Sequence, residues 1–299
     1  MNIRNLTNVS RETLPTDIAR TWNNCPICNT DRRILYVSFK ELDFSQCHYC
    51  GCVYKSREVG NIISLEFYEK SYFHGRKSAR DKRFKHRVNK NIRHIKSALE
   101  FVEAKDLLDI GCSFGYVLEA AKQLGMDAYG SDISSYAVKK CIENGYQAKT
   151  GTLESLQFSD QSFDLVTMKH VFEHTPEPKS ALTEIRRVLR SRGCVLITVP
   201  DLNYWKGRLL RKIGRYFKPN DLGRQHYVYY TENSLRKLLE KANFVVCANS
   251  KAVFPGKLFQ EDLLKGARAF FYWFSTKIVQ ALAKWFYLRR EIFMIAIKK

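Results

Sequence analysis

Apolar residues along this chain fall into short runs separated by stretches of helical spacing, most clearly between residues 105 and 200. LLDI at 107–110 has the length and composition of a buried strand. Tyr116–Leu124 carries helical spacing and stops at Gly125. AYGSD at 128–132 is strand-like, and Ser135–Asn144 is a second helix stopped by Gly145. FDLVTM at 163–168 is a strand. Ser180–Leu189 is a helix closed by a turn at Ser191-Arg192-Gly193, and CVLITV at 194–199 is a strand stopped by Pro200. Strands alternating with helices of about 10–15 residues predict βαβ units and an α/β fold with a mainly parallel sheet. The helix Ser234–Lys241 and the runs FVVCA (244–248) and IFMIAI (292–297) would extend that sheet. Upstream, Val88, Ile92, Ile95, Leu99 and Val102 share one helical face.

The first core strand runs directly into Asp109-Ile110-Gly111-Cys112-Ser113-Phe114-Gly115 and then a helix. Gly111 allows a tight turn and close approach of a ligand to the backbone. Gly115 allows close packing of helix on strand, and the helix N-terminus offers unpaired N–H groups. Asp132 closes the next strand, where a carboxylate can accept both hydroxyls of a ribose; the competing role is an ordinary N-cap. The loop lacks the lysine of a phosphate-binding P-loop, which argues against ATP. A dinucleotide-type Rossmann site has similar glycines but leaves the segment FDLVTMKHVFEH (163–174) without a role.

LLDIGCSFGYVLEAAKQLG, YGSDIS, GTLESLQFSDQSFDLVTMKHVFEH and EIRRVLRSRGCVLITVPD occur in this order over about residues 84–250. This series resembles the successive motifs of class I S-adenosylmethionine-dependent methyltransferases, and the resemblance implies a Rossmann-like fold with a mainly parallel seven-stranded sheet. The resemblance implies that Asp109, Gly111, Cys112 and Gly115 line the methionine part of the cofactor and that Asp132 holds the ribose. It further implies that Ile133, Leu153 and Glu154 meet the adenine, and that Met168 ends a strand beside the sulfonium. Ser113 stands where that family commonly has glycine.

Composition changes this picture in two ways. The first is cysteine. Cys25-Pro-Ile-Cys28 and Cys47-His-Tyr-Cys50 are separated by 18 residues, a spacing suited to four-thiolate, tetrahedral Zn²⁺ binding. A saturated site of this kind is structural. His48 and Cys52 are spare ligand candidates, and Cys52 could replace Cys50. Cys112, Cys141, Cys194 and Cys247 fall on strands or helices, where buried apolar roles are expected. The N-terminus has no apolar export segment, so a reducing, cytoplasmic setting is expected. A zinc-ribbon module ahead of Tyr68, Tyr72, Phe73 and a methyltransferase core resembles bacterial enzymes that modify saccharides and, more distantly, a zinc-ribbon class of ribosomal RNA methyltransferases.

The second is charge. The formal net charge is +20, and it is local: residues 76–96 hold ten Lys/Arg and one Asp, and 206–218 hold six Lys/Arg and no acid. Such segments attract polyanions or form solvated helix faces. In 205–218, Trp205, Leu209, Leu210, Ile213 and Phe217 interleave with the cations, the pattern of a helix on an anionic membrane surface. The aromatic stretch 269–288 carries only Lys277 and Lys284 as charges, which argues against a membrane span and for an interfacial, capping or core-packed helix.

The organisation expected is therefore a flexible 1–20, a zinc-ribbon-like module at 21–58, a basic helical linker and cap at 59–104, and a cofactor-binding domain at 105–299. Residues 201–230 and 255–290 would be cap or membrane-surface segments. The expected activity is methyl transfer to a saccharide or a lipid- or nucleotide-linked saccharide. The alternatives are an RNA methyltransferase and a non-enzymatic membrane adaptor. No protein partner is expected, and peripheral membrane attachment would follow from the basic segments. A hydroxyl acceptor needs a base. His174 is the first choice, with His170 and His226 as the others, although Glu173 and His174 could equally serve only to order the loop.

Overall fold

The computed structural model describes residues 21–38, 42–58, 82–203, 225–249 and 291–299. Along the chain these form β1 (Arg33–Ser38), β2 (Leu42–Cys47), β3 (Val53–Glu58), α1 (Lys82–Leu99), β4 (Asp106–Ile110), α2 (Tyr116–Gln123), β5 (Asp127–Asp132), α3 (Ser135–Glu143) and β6 (Gln147–Thr150). There follow α4 (Leu153–Leu156), β7 (Phe163–Lys169), α5 (Pro178–Val188), β8 (Leu189–Pro200), β9 (Val228–Tyr229), α6 (Glu232–Lys241), β10 (Phe244–Asn249) and β11 (Glu291–Lys298).

Seven strands form a mixed sheet in the order β10-β11-β8-β7-β4-β5-β6. The strands from β6 to β8 pair in parallel, while β11 runs antiparallel to both β8 and β10. The alternation of side chains along each strand divides the core into two layers. Leu107, Leu165, Leu196 and Ile295 face α1 and α2, burying Phe84, Val88, Ile95, Val117 and Ala121. Leu108, Val166, Val195 and Ile197 face the opposite way, against Leu182 and Ile185 of α5 and Leu235 and Leu239 of α6. On α1 the basic residues Arg83, Lys85, Arg87, Arg93 and Lys96 occupy the exposed face.

The second sheet has the order β1-β2-β3-β9, all antiparallel. Its last strand comes from far along the chain: Val53 pairs with Tyr229 and Tyr54 with Val228. Cys25, Ile27, Cys52 and Tyr54 pack into the same apolar cluster as α5 and α6, so the small sheet, completed by a strand from the C-terminal half, shares a continuous core with the large one.

Two expectations need correction. Ser191-Arg192-Gly193 does not close a helix before a separate strand. The helix ends at Val188, and β8 starts at Leu189 and absorbs these residues as an irregularity. The pairing with β7 shifts register between Phe163 and Leu165, and Arg192 takes φ 62°. The irregularity lets Arg190 reach both Asp106 and Asp164 at 2.7 Å. The second correction concerns Cys247, which is half-buried, whereas Cys112, Cys141 and Cys194 are buried. Residues 1–20, Tyr68, Tyr72 and Phe73, the basic segment 206–218 and the aromatic stretch 269–288 lie outside the described residues. Among the described residues no helix is long and apolar enough to cross a membrane.

Candidate active site

Strands β4, β5, β6 and β7 run parallel and end on the same side of the large sheet, so the loops leaving them meet where parallel α/β sheets commonly bind nucleotides. There the loop after β4 is tied to the end of β5. Gly111 N and Cys112 N both donate to the Ser131 carbonyl, at 2.7 and 2.9 Å. Ser113 N donates to Asp132 Oδ2 at 2.8 Å, and Ser134 N donates to Oδ1 at 2.9 Å. Gly151 N, from the loop after β6, donates to the Asp132 carbonyl. The carboxylate that the sequence singles out is therefore the hub of these loops. It is not the N-cap of α3; Ser134 performs that role, accepting from Ala137 N.

Gly111 has φ +74°, and a Cβ placed there would lie 2.2 Å from Val171 Cγ2. Gly111→Ala therefore forces both a left-handed alanine and a clash with the segment after β7. We expect it to cost about 2 kcal/mol or more of stability, measured by denaturant unfolding. Ser113 also sits in the left-handed region, at φ 50°, a conformation that glycine adopts at less cost. Gly115, at φ +80°, precedes α2 without a side-chain cap. Of the remaining residues the resemblance points to, Cys112, Leu153 and Met168 are buried, Ile133 is half-buried and Glu154 is exposed.

Asp109 is 2% exposed and accepts a 2.6 Å hydrogen bond from Thr167 Oγ1. Burial pushes its carboxyl up to about 7, against the opposing effects of the Thr167 hydroxyl and the positive charge of Lys169. Lys169 is itself lowered to about 8 by burial, and its Nζ lies 2.6 Å from His94 Nδ1.

Beyond β7, the turn Phe172–His174 gathers the three histidines chosen from sequence around one carboxylate that the sequence offered only as a loop-ordering group. Glu173 is 2% exposed. His170 Nδ1 lies 3.6 Å from Glu173 Oε1, and His174 Nε2 lies 4.0 Å from the same oxygen. His226 stacks edge-on to His174, with ring centroids 4.6 Å apart. The His226 segment is held in place by its neighbour, since Tyr227 N donates to the Glu173 carbonyl at 2.8 Å. Burial pushes His226 down to about 4. His170 differs: it is exposed, and although partial desolvation disfavours its charge, the neighbouring carboxylates of Glu173 and Glu291 outweigh this and raise it to about 9. Its Nε2 is 3.0 Å from Glu291 Oε2, and Lys90 pairs with the other Glu291 oxygen. At neutral pH His170 is therefore a cation set between two carboxylates. Glu291 lies 121 residues from His170 with no local pattern to announce it.

The sulfur atoms of Cys25, Cys28, Cys47 and Cys50 lie within 4.8 Å of one another. A tetrahedral zinc with arms near 2.3 Å separates its ligands by about 3.8 Å, so these four thiols fit one such ion. Cys52 is also buried, with its sulfur 3.6 Å from Cys25 and 3.5 Å from Cys50, which keeps it a candidate ligand; His48 is exposed. The cluster adjoins the histidine site through the backbone. Lys55 N, on β3, donates to the Tyr227 carbonyl at 3.0 Å, and Thr231 Oγ1 donates to the Cys50 carbonyl at 3.1 Å.

Comparison with known proteins gives a consistent result. Residues 83–249 match a family model described as a methyltransferase domain. The chain is 33% identical over 99 residues to an uncharacterized methyltransferase, YcgJ, of Bacillus subtilis, which covers 30% of this chain and 39% of that protein. It is 32% identical over 107 residues to a ubiquinone biosynthesis O-methyltransferase of Aeromonas salmonicida, covering 33% and 44% respectively. It thus spans under half the length of each of these two relatives. Among solved structures, magnesium protoporphyrin IX methyltransferase from Synechocystis PCC 6803, solved with bound S-adenosylhomocysteine, aligns with a TM-score of 0.51 at 17% identity. That alignment covers 79% of this chain and 98% of that one.

Proposed function

The chain belongs to the methyltransferase domain family, and on that premise we propose that it transfers a methyl group from S-adenosylmethionine to a hydroxyl of a saccharide, free or carried on a lipid or nucleotide. The observation that carries this reading is the Asp132 carboxylate hydrogen-bonded to the glycine loop at the carboxyl edge of the parallel strands. Asp132 would bind the ribose hydroxyls, Gly111, Cys112 and Gly115 would admit the methionine portion, and Ile133, Leu153 and Glu154 would flank the adenine. Met168 would lie beside the sulfonium.

The reaction is an in-line displacement. The acceptor oxygen forms a bond to the methyl carbon as the carbon–sulfur bond breaks. The electron pair of that bond goes to sulfur, giving S-adenosylhomocysteine, and the hydroxyl proton leaves to solvent on the acceptor side. Alignment of oxygen, methyl and sulfur supplies much of the rate. We assign His174 and His226, beside Glu173, to the acceptor side of the site. His170, which already carries a proton between Glu173 and Glu291, holds Glu173 in place.

An oxygen acceptor agrees with the relative named as a ubiquinone biosynthesis O-methyltransferase. An acidic carrier agrees with the exposed basic face of α1 and with the net charge of +20. The four-thiolate cluster would hold structural Zn²⁺, with no open position for substrate. The test is transfer of labelled methyl from S-adenosylmethionine to nucleotide-linked sugars, lipid-linked sugars and RNA, assayed in parallel. Label in a sugar fraction supports the reading, and label only in RNA replaces it.

Asp109 adds a pH dependence. Its carboxyl is neutral below about pH 7 and charged above it. A ligand bearing an ammonium and a sulfonium gains from the charged form. Affinity for S-adenosylmethionine should therefore rise between about pH 6 and pH 8, with proton release on binding. Calorimetry in buffers of different ionisation enthalpy measures both effects.

A further inference from the structure

The acceptor-side cluster holds buried polar atoms that no hydrogen bond among the described residues satisfies. Glu173 is 2% exposed, and its Oε2 has no hydrogen-bond partner among the described residues. His226 is 8% exposed, and its Nδ1 is likewise unpartnered there. Buried polar atoms are rarely left this way unless something else satisfies them. His174 adds an independent sign. Its Nδ1 lies 2.8 Å from the Gln225 carbonyl oxygen. A carbonyl only accepts, so Nδ1 carries the proton and Nε2 is the basic nitrogen. An imidazole that donates one N–H to a backbone carbonyl is oriented and tautomer-fixed in the manner of a metal ligand.

One ligand atom from each of Glu173, His174 and His226 lies within 4.8 Å of the other two. Three ligands about 2.0–2.2 Å from a common ion stand within roughly 4 Å of one another, so small rotations of these side chains complete a site. The backbone already fixes their mutual placement, through the hydrogen bond from Tyr227 N to the Glu173 carbonyl.

We propose that Glu173, His174 and His226 bind a divalent first-row transition cation, separate from the four-thiolate cluster. Two imidazoles and one carboxylate favour Mn²⁺, Fe²⁺ or Zn²⁺ over Mg²⁺ or Ca²⁺, and three ligands leave positions open. His170, against Glu173 Oε1 and Glu291, is the positioning residue behind the carboxylate. The cation's existence does not depend on the methyltransferase reading, but its role does. Open positions on such an ion would suit two adjacent oxygens, so the acceptor class is a vicinal diol, as on a sugar ring, held by its oxygens in front of the methyl group. The site lies two residues beyond Val171, whose side chain packs where a Cβ of residue 111 would be.

The test is a titration of the full chain, carrying zinc on its thiolates, with Mn²⁺, followed by electron paramagnetic resonance. Mn²⁺ competes poorly for thiolates, so the cysteine cluster keeps its zinc. The expected result is one Mn²⁺ per chain, with affinity reduced about tenfold or more in Glu173→Gln and in His226→Gln, while zinc content and melting temperature are retained. Absence of Mn²⁺ binding in the unmodified chain overturns the site, as does equal affinity in both folded variants. If one variant fails to melt cooperatively, the other decides. S-adenosylhomocysteine is titrated into the same samples. Mn²⁺ binding without S-adenosylhomocysteine binding leaves the cation site standing and removes the methyltransferase reading; the converse removes only the cation.

Discussion

Replacing Asp132 by alanine is expected to weaken S-adenosylhomocysteine binding on the order of 100-fold, equivalent to about 2.7 kcal/mol. Hydrogen bonds to a charged group contribute about 1.5–3 kcal/mol each, and a ribose presents two hydroxyls to this carboxylate. The same substitution strips Ser113 N and Ser134 N of their acceptor, so the glycine loop loses its anchor to β5 as well as its ligand contact. Asp132→Asn keeps an oxygen for one of these groups and removes the charge, and should lie between the two at about a tenfold loss. Calorimetric titration of the three proteins checks this. Unchanged affinity in Asp132→Ala would mean that the carboxylate faces no ribose.

Breaking the thiolate cluster should have the second large effect, and it should be selective. A structural zinc contributes about 10–16 kcal/mol in small domains, as much as the whole stability of an ordinary fold. The strands β1 to β3 are too short to bury a core that replaces it. Cys25→Ser is therefore expected to release the metal and open the small sheet. The large sheet and S-adenosylhomocysteine binding should persist. Methyl transfer should fall further than binding, because β3 pairs with β9 and Lys55 N holds the Tyr227 carbonyl, so loss of the sheet frees the His226 segment from Glu173. Hydrogen exchange at the Lys55 and Tyr227 amides, together with zinc content by mass spectrometry, measures this. Protection unchanged after metal loss, or purified protein without metal, contradicts it.

Where local chemistry dominates, the chain could be read directly. The strand at 107–110, the glycine loop and Asp132 announce themselves because strand, turn and helix follow within a few residues. Their loop–carboxylate contact spans 19 positions. β6 has no signature in the sequence because QAKT has no buried residue and pairs only at the edge of the sheet. Ser-Arg-Gly in β8 has turn composition, and only the pairing of Leu189 and Cys194 on either side of it with β7 makes it an irregularity within one strand. The pairing of Tyr54 with Val228, and of His170 with Glu291, joins residues far apart in sequence; no periodicity encodes either. The three histidines were found as residue types suited to proton transfer, but their convergence on Glu173 is a product of the tertiary fold. Glu173 itself could have been raised from a loop residue to a functional one by its place beside His174 in the Phe-Glu-His turn after β7.

One titration bears most directly on the whole account: S-adenosylhomocysteine added to the unmodified full chain in a calorimeter. A single site per chain with roughly micromolar affinity, about −8 kcal/mol, is the result expected of a working cofactor site. No heat at millimolar ligand, from protein that melts cooperatively and carries its zinc, would contradict it.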